Sequence, residues 1–188
     1  TDIGGFFGAN INDPEFHELL IRWFEYGCFC PVMRLHGYRW PLQPQYGTTG
    51  GATCVSGAPN EVWSYTDQVC EILSDYLRLR ERMLPYITEL MEEAHEKGTP
   101  VMRPLFYDFP EDKESWNVET EYMFGPKVLV KPITDADARE TDVYLPGGAS
   151  WTNAWTGETF EGGQKVHVAA PIEQIPLFTR DGYKLPMK

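Results

Sequence analysis

Nowhere does the 188-residue sequence hold an apolar stretch that approaches the roughly 18 to 20 residues a helix needs to cross a bilayer. Nor does a basic segment followed by an apolar one open it, so no membrane partner is expected. Cationic side chains are scarce as well, with 16 Lys and Arg against 28 Asp and Glu and a formal net charge of −12. Such an excess of carboxylates repels nucleic acid and leaves a neutral or cationic small molecule as the easier partner. Cysteine is sparse too. Cys28, Cys30, Cys54 and Cys70 are too few for a disulfide scaffold at this length, and Cys28 and Cys30 lie two apart in what reads as a strand, where a bridge is geometrically poor. All four are expected as reduced thiols. A C-x-C pair with no matching His or Cys pair is not a closed zinc set. H-E-x-x-H, G-x-S-x-G, G-x-x-x-x-G-K-[ST] and G-x-G-x-x-G are all missing. The acidic turn "DADARETD" lacks the Gly and distal Glu of a calcium loop, and Glu92, Glu93 and His95 in "EEAHEK" read as a solvated helical face. No metal and no cofactor are expected.

What remains is enough apolar material, 42% of residues, for a sizeable core. Asp13 as N-cap and Pro14 in the first turn start a helix whose stripe is Phe16, Leu19, Leu20, Trp23 and Phe24, with Gly27 as its expected stop. Residues 28 to 34, short and apolar all round, predict a strand buried on both faces. From Gly37 to Asn60 the chain is rich in Gly, Pro, Gln and Thr and has no period, so a long loop is expected. Val69, Ile72, Leu73, Tyr76 and Leu77 then recur at helical spacing, and the stripe continues through Met83 and Leu84. Pro85 should kink or restart the helix and Gly98 should end it. Past Gly98 the grammar changes to period-two segments such as "KVLVKP", "TDVYLP" and "KVHVAAP", and "WTNAWTGETFEGG" reads as a hairpin with "TG" at its tip. The expected division is an α/β part, 1–98, and a small antiparallel β-sandwich, 99–188.

The run that begins at Cys28 ends on Arg34, His36 and Gly37, and Asp2 is followed by Gly-Gly-Phe-Phe. Polar residues at the end of an apolar strand, followed by a long loop, fit the carboxyl end of a parallel strand, where groups converge on a ligand.

Six collinear stretches, "TDIGGFFG", "RWFEYGCFCPVMRLHG", "LRLRERMLPYI", "HEKGTPVMRPLF", "EYMFGPKVLVKPI" and "VYLPGGASWTNAWTGETFEGG", carry a resemblance over essentially the whole chain. In this order and spacing they resemble the last part of the catalytic domain of glycoside hydrolase family 31 and its proximal C-terminal β-sandwich. Within the family the wording is most similar to bacterial α-xylosidases. The resemblance implies an α/β plus all-β fold: the last βα units of a (β/α)8 barrel, from the end of strand seven through helix eight, and then the sandwich. It implies a retaining α-glycosidase for terminal α-xylosides or α-glucosides, working with water and no cofactor through two aspartates. Both would lie on barrel strands upstream of Thr1, so the chain alone is not expected to hydrolyse anything.

Carried over by position, His36 is expected to hydrogen-bond a sugar hydroxyl, Asp2 to orient neighbouring polar side chains, Phe6 to stack on the sugar ring, and Arg34 to pair with a rim carboxylate. Trp40, with Trp63, would reach toward the aglycone side, and Gly4 and Gly5 would take positive φ or allow close backbone approach. The partner implied is an oligosaccharide or small α-glycoside. A second expectation, from a different class, is a carbohydrate-binding or interaction module built on the β-sandwich. An incomplete barrel also implies an open apolar flank, expected along the helix that starts at Pro14 and covered by further strands, by rearrangement or by self-association. Xylose versus glucose, and the compartment, are not legible.

Overall fold

The structure, a computed structural model, describes residues 1–6, 8–43 and 56–187. Cys54 and the part of the expected loop from 44 to 55 lie outside them.

Helix α1 (Pro14–Cys28) starts as its sequence dictates: the Asp13 carboxylate accepts from the Glu15 N–H at 3.0 Å, and Pro14 occupies the first turn. It does not stop at Gly27 but runs through it. A Cβ there would lie 2.6 Å from Ile3 Cδ1, so this glycine admits the first segment of the chain against the helix. Phe16, Leu20 and Phe24 of the predicted stripe are buried, and Leu19 is exposed.

The strand predicted over residues 28 to 34 does not form. Cys28 is the last residue of α1, Phe29 and Cys30 are buried in a turn, and Val32 is 62% exposed. The nearest ladder contact among the described residues is one parallel bridge, Ile3 to Leu35. A strand needs a hydrogen-bonded neighbour along its length, and among the described residues only Arg34 of this run has a main-chain partner in another segment, Ile3, while the carbonyls of Cys28, Cys30 and Pro31 accept from the Arg80 side chain. Beside this run an apolar trough opens between Ile3, Val32, Leu35 and Leu77. A second apolar groove runs along α1 past Leu19, Trp23 and Tyr26.

Helices α2 (Asp67–Arg82) and α3 (Leu84–Lys97) follow, with Thr66 capping the first at Val69 N–H and Gly98 ending the second at φ +70°. They break at Met83, because Pro85 has no N–H to continue the ladder. Leu77 and Leu84, counted in the predicted stripe, are exposed. The region expected as loop contains a small antiparallel ribbon of β1 (Arg39–Gln43) and β2 (Ser56–Ala58).

Beyond Gly98, β3 (Met102–Arg103), α4 (Leu105–Asp108), β4 (Tyr122–Phe124), β5 (Val128–Val130), β6 (Glu140–Leu145), β7 (Ser150–Asn153), β8 (Thr159–Glu161), β9 (Gln164–Ala169) and β10 (Leu177–Arg180) make up the β part. One antiparallel sheet runs β3-β4-β5-β10-β7-β8, and β6 pairs with β9. β7 and β8 form the predicted hairpin, and Gly157, in the connection, has φ +76°. Alternation along the strands buries the large sheet on both faces. Met123, Leu129 and Phe178 pack with Val143, Val166 and Val168 of β6 and β9, while Phe124, Val128 and Leu177 pack in one core with Phe29, Tyr76 and Met83.

A buried polar knot joins this core to the β part. The two Nη atoms of Arg22 donate to Glu25 Oε2 at 3.1 Å and to four backbone carbonyls, those of Ala138, Ala170, Pro171 and Gln174, at 2.7 to 3.3 Å. Tyr76 Oη donates to Glu25 Oε1 at 3.0 Å and accepts from the Ile175 N–H at 3.0 Å. Burial pushes the Glu25 carboxyl up to about 8, against the opposing pull of Arg22 and Tyr76.

Candidate functional site

Two chain segments run side by side in parallel at one end of α1. The Ile3 N–H donates to Arg34 O at 3.2 Å, Tyr38 N–H to Phe6 O at 3.3 Å, Trp40 N–H to Ala9 O at 2.8 Å, and Ile11 N–H to Trp40 O at 3.1 Å. With α1 as the connection this is a βαβ unit reduced to its strand ends. Those ends carry four of the five predicted site residues.

Arg34 Nη2 and Nε donate to Asp2 Oδ1 at 2.8 and 3.2 Å. The hydrogen bond from Arg34 holds the Asp2 carboxyl below the usual carboxylate value; partial burial opposes it, and the nearby charges of Arg34 and His36 add to the lowering. The His36 ring lies against Phe6, with centroids 5.2 Å apart and planes tilted by 36°. Phe6, Arg34 and His36 are all exposed. A flat apolar ring beside an imidazole and a neutralised ion pair suits a polyhydroxylated neutral ligand, which needs stacking and donor–acceptor groups rather than net charge. Trp40 lies further along the paired segments. Its indole covers Gly8, where any Cβ would run into Nε1, and it is 47% exposed. Trp63 projects from a short turn at Val62–Ser64 and is 72% exposed.

Gly4 and Gly5 take φ of +83° and +82°, as expected. Gly37 is the tighter constraint. Its φ is +94°, and a Cβ would sit 2.5 Å from both the Gly5 and the Phe6 carbonyl oxygens. Gly37→Ala is expected to cost at least about 2 kcal/mol, combining left-handed strain with a backbone clash, read as a lower denaturant midpoint. A variant as stable as the parent would mean that the two segments are not this close.

Arg34→Met is expected to raise the Asp2 pKa toward its ordinary value, read by NMR titration of the carboxyl carbon. The direction is set by the first cause of the depression, the hydrogen bond that the substitution removes. A carboxyl held low lends stability above its unfolded value and loses it as the pH falls through the folded one; that small acid-side loss should vanish in Arg34→Met. An unchanged Asp2 titration would count against the pair.

Sequence reasoning missed two residues here. Arg39 is fully buried beneath the paired segments and donates to backbone carbonyls on both. Asn60 Nδ2 donates to Gly37 O at 3.4 Å and is itself held by Tyr65 Oη at 2.6 Å. The available signal for Arg39 was a cation in "HGYRWP" with no acidic residue near it in sequence, a sign that its partners are main-chain oxygens.

Strand ends paired in parallel, helices returning behind them and a β-sandwich packed against those helices define the closing part of an α/β barrel, whose ligand face is the carboxyl end of its strands. Chain-wide comparison narrows the class. The chain belongs to glycoside hydrolase family 31: the profile of the "Glycosyl hydrolases family 31 TIM-barrel domain" matches residues 1–90, and that of the "Glycosyl hydrolase family 31 C-terminal domain" matches residues 98–185. It is 36% identical to the α-xylosidase of Saccharolobus solfataricus over 100% of this chain and 23% of that protein. It is likewise 36% identical to α-glucosidase 2 of Bacillus thermoamyloliquefaciens, over 96% of this chain and 20% of that one. Among solved structures, a family 31 α-xylosidase from a soil metagenome, complexed with xylose, superposes with a TM-score of 0.93 at 49% identity, covering 98% of this chain and 28% of that one. The chain thus spans about a quarter of the length of these relatives.

Proposed function

We propose that residues 1–98 supply one wall of the subsite that holds the reacting sugar ring in a retaining α-glycosidase, and that residues 99–188 brace it. The observation that carries this reading is the convergence of Asp2, Phe6, Arg34 and His36 at the tips of two parallel segments. His36 hydrogen-bonds a ring hydroxyl, donating through one nitrogen and accepting through the other. Phe6 stacks on the apolar face of the pyranose. The Asp2–Arg34 pair keeps the rim neutral and fixes the tips, and Trp40 borders the aglycone side. The displacement needs two carboxyl groups about 5 to 5.5 Å apart, one as nucleophile and one as acid and then base. The family resemblance matches neither of them to a residue of this chain.

The substrate is a terminal α-xyloside or α-glucoside. The relatives named above favour the xyloside, since two of the three are α-xylosidases and the 49% identical one is complexed with xylose. A free-standing module on the sandwich is disfavoured because the ligand-like cluster lies outside residues 99–188. The apolar trough beside Leu35 is the face that the rest of a barrel, or a second copy of the chain, would cover. The test is to assay the complete protein on nitrophenyl α-xyloside and α-glucoside and to follow the anomeric configuration by proton NMR. Hydrolysis with retention, faster on the xyloside, is expected; inertness toward both, or inversion, would overturn the reading.

A further inference from the structure

We infer that Arg39 is the positioning residue of this site, the group that sets His36 against Phe6. The inference rests on the proposed function for its catalytic consequence, though not for its geometry. Arg39 is fully buried and faces no carboxylate among the described residues. Its Nη1 donates to Gly5 O at 2.9 Å and Tyr38 O at 3.1 Å; its Nη2 donates to Ile3 O at 3.2 Å and His36 O at 3.4 Å. Two of these carbonyls belong to the segment that carries Asp2 and Phe6, and two to the segment that carries Arg34 and His36. One of them is the carbonyl of His36 itself.

The planar guanidinium suits this task for a physical reason. Its donors point outward in a fixed fork, so the spacing of its four acceptors is set by one rigid group. The guanidinium carbon stands 5.2 Å from the Phe16 ring centroid on α1, which anchors the fork to the helix behind the site. Opposite it, a Cβ on Gly4 would come within 2.5 Å of Nη2, so the absence of a side chain at Gly4 is what admits the fork. The backbone bonds that join the two tips, Ile3 N–H to Arg34 O and Tyr38 N–H to Phe6 O, are spaced apart, and the Ile3–Leu35 and Asn10–Trp40 contacts are isolated bridges among the described residues and not a continuous ladder. Arg39 supplements these bonds, tying the tips together where the ladder is interrupted. A lysine at the same place offers three donors on one atom and cannot span both segments.

The experiment compares Arg39→Lys, His36→Ala and the double variant in the complete protein. The readouts are kcat and KM on nitrophenyl α-xyloside, thermal unfolding, and the carbon-13 histidine ring signals. In the parent, the His36 ring signals should carry a ring-current shift that Phe6→Leu removes. In Arg39→Lys that shift should collapse while the protein stays folded, and kcat should fall by about 100-fold, the scale of a misplacement of roughly 1 Å, with KM changed much less. In the His36→Ala background, Arg39→Lys should add little further loss, since the two residues act through one another. Unchanged His36 signals in Arg39→Lys, or fully additive losses, would overturn the inference. Signals that move with turnover intact would support the positioning and count instead against the sugar-binding role of His36. Should Arg39→Lys fail to fold, Gly4→Ala takes its place, because it crowds Nη2 while keeping the guanidinium; the same shift and the same loss of kcat are then expected, and unchanged His36 signals would again overturn the inference.

Discussion

Arg22→Met should destabilise the region by about 3 to 5 kcal/mol, the scale of leaving several buried acceptors without their shared donor. Met fills nearly the same volume with an unbranched chain, so the cavity left behind is small. What is lost is the donor set of Arg22, which serves Glu25 and four main-chain carbonyls of the β part. Each buried acceptor left without a donor costs on the order of 1 to 3 kcal/mol, and neutralisation of Glu25 by a proton limits the total. The substitution also has a pH signature. The Glu25 carboxyl titrates at about 8 in the folded parent and near its ordinary value when unfolded. The stability it lends is therefore full below the unfolded value and is lost as the pH rises to about 8. Without Arg22 the folded value climbs further. The gap between variant and parent should then stay constant below about pH 8 and widen above it. Denaturant unfolding across that range decides the matter. A loss under about 1 kcal/mol, or a gap that narrows with rising pH, would rule out the buried pair as described.

His36→Ala is expected to remove most of the turnover and little of the fold. The side chain is exposed and stacks on Phe6, so the stability change should stay near about 0.5 kcal/mol. A hydrogen bond to the reacting sugar that strengthens toward the transition state is worth roughly 100- to 1000-fold in kcat when removed. Asn at this position should recover part of it, having both a donor and an acceptor. Steady-state kinetics of the complete protein, with calorimetry beside them, separate the two effects. Near-normal kcat in His36→Ala would remove the imidazole from any part in the reaction.

These two arginine and histidine environments differ in how far a sequence could reveal them. His36 announces itself through Arg34 and Gly37 on one side and "DIGGF" on the other, and the family resemblance supplied the role proposed for it. Nothing in the sequence singles out Arg22 within its amphipathic helix. Arg39 lies in the expected loop with no acidic residue near it in sequence, a signal that names none of its partners. Both are buried, because most of their partners are carbonyl oxygens, many of them brought in from elsewhere in the chain, and a carbonyl leaves no mark in the sequence. The predicted strand over 28 to 34 failed for a related reason. Its apolar character was legible, but whether an apolar run becomes a strand depends on neighbours along its edges, and among the described residues Ile3 alone provides one.

Local chemistry was determined by the sequence alone: Asp13 and Pro14 starting α1, Pro85 parting α2 from α3, Gly98 ending α3, and period-two alternation marking the sandwich. These signals act within one or two turns, so their causes and effects lie together in the chain. Tertiary structure decided that apolar grooves lie beside Leu35 and along α1, that Gly27 serves packing, and that Arg22 and Arg39 are internal clamps. Those outcomes depend on distances between segments far apart in the chain, and such distances exist only once the core formed around Phe29, Tyr76 and Phe124 has closed.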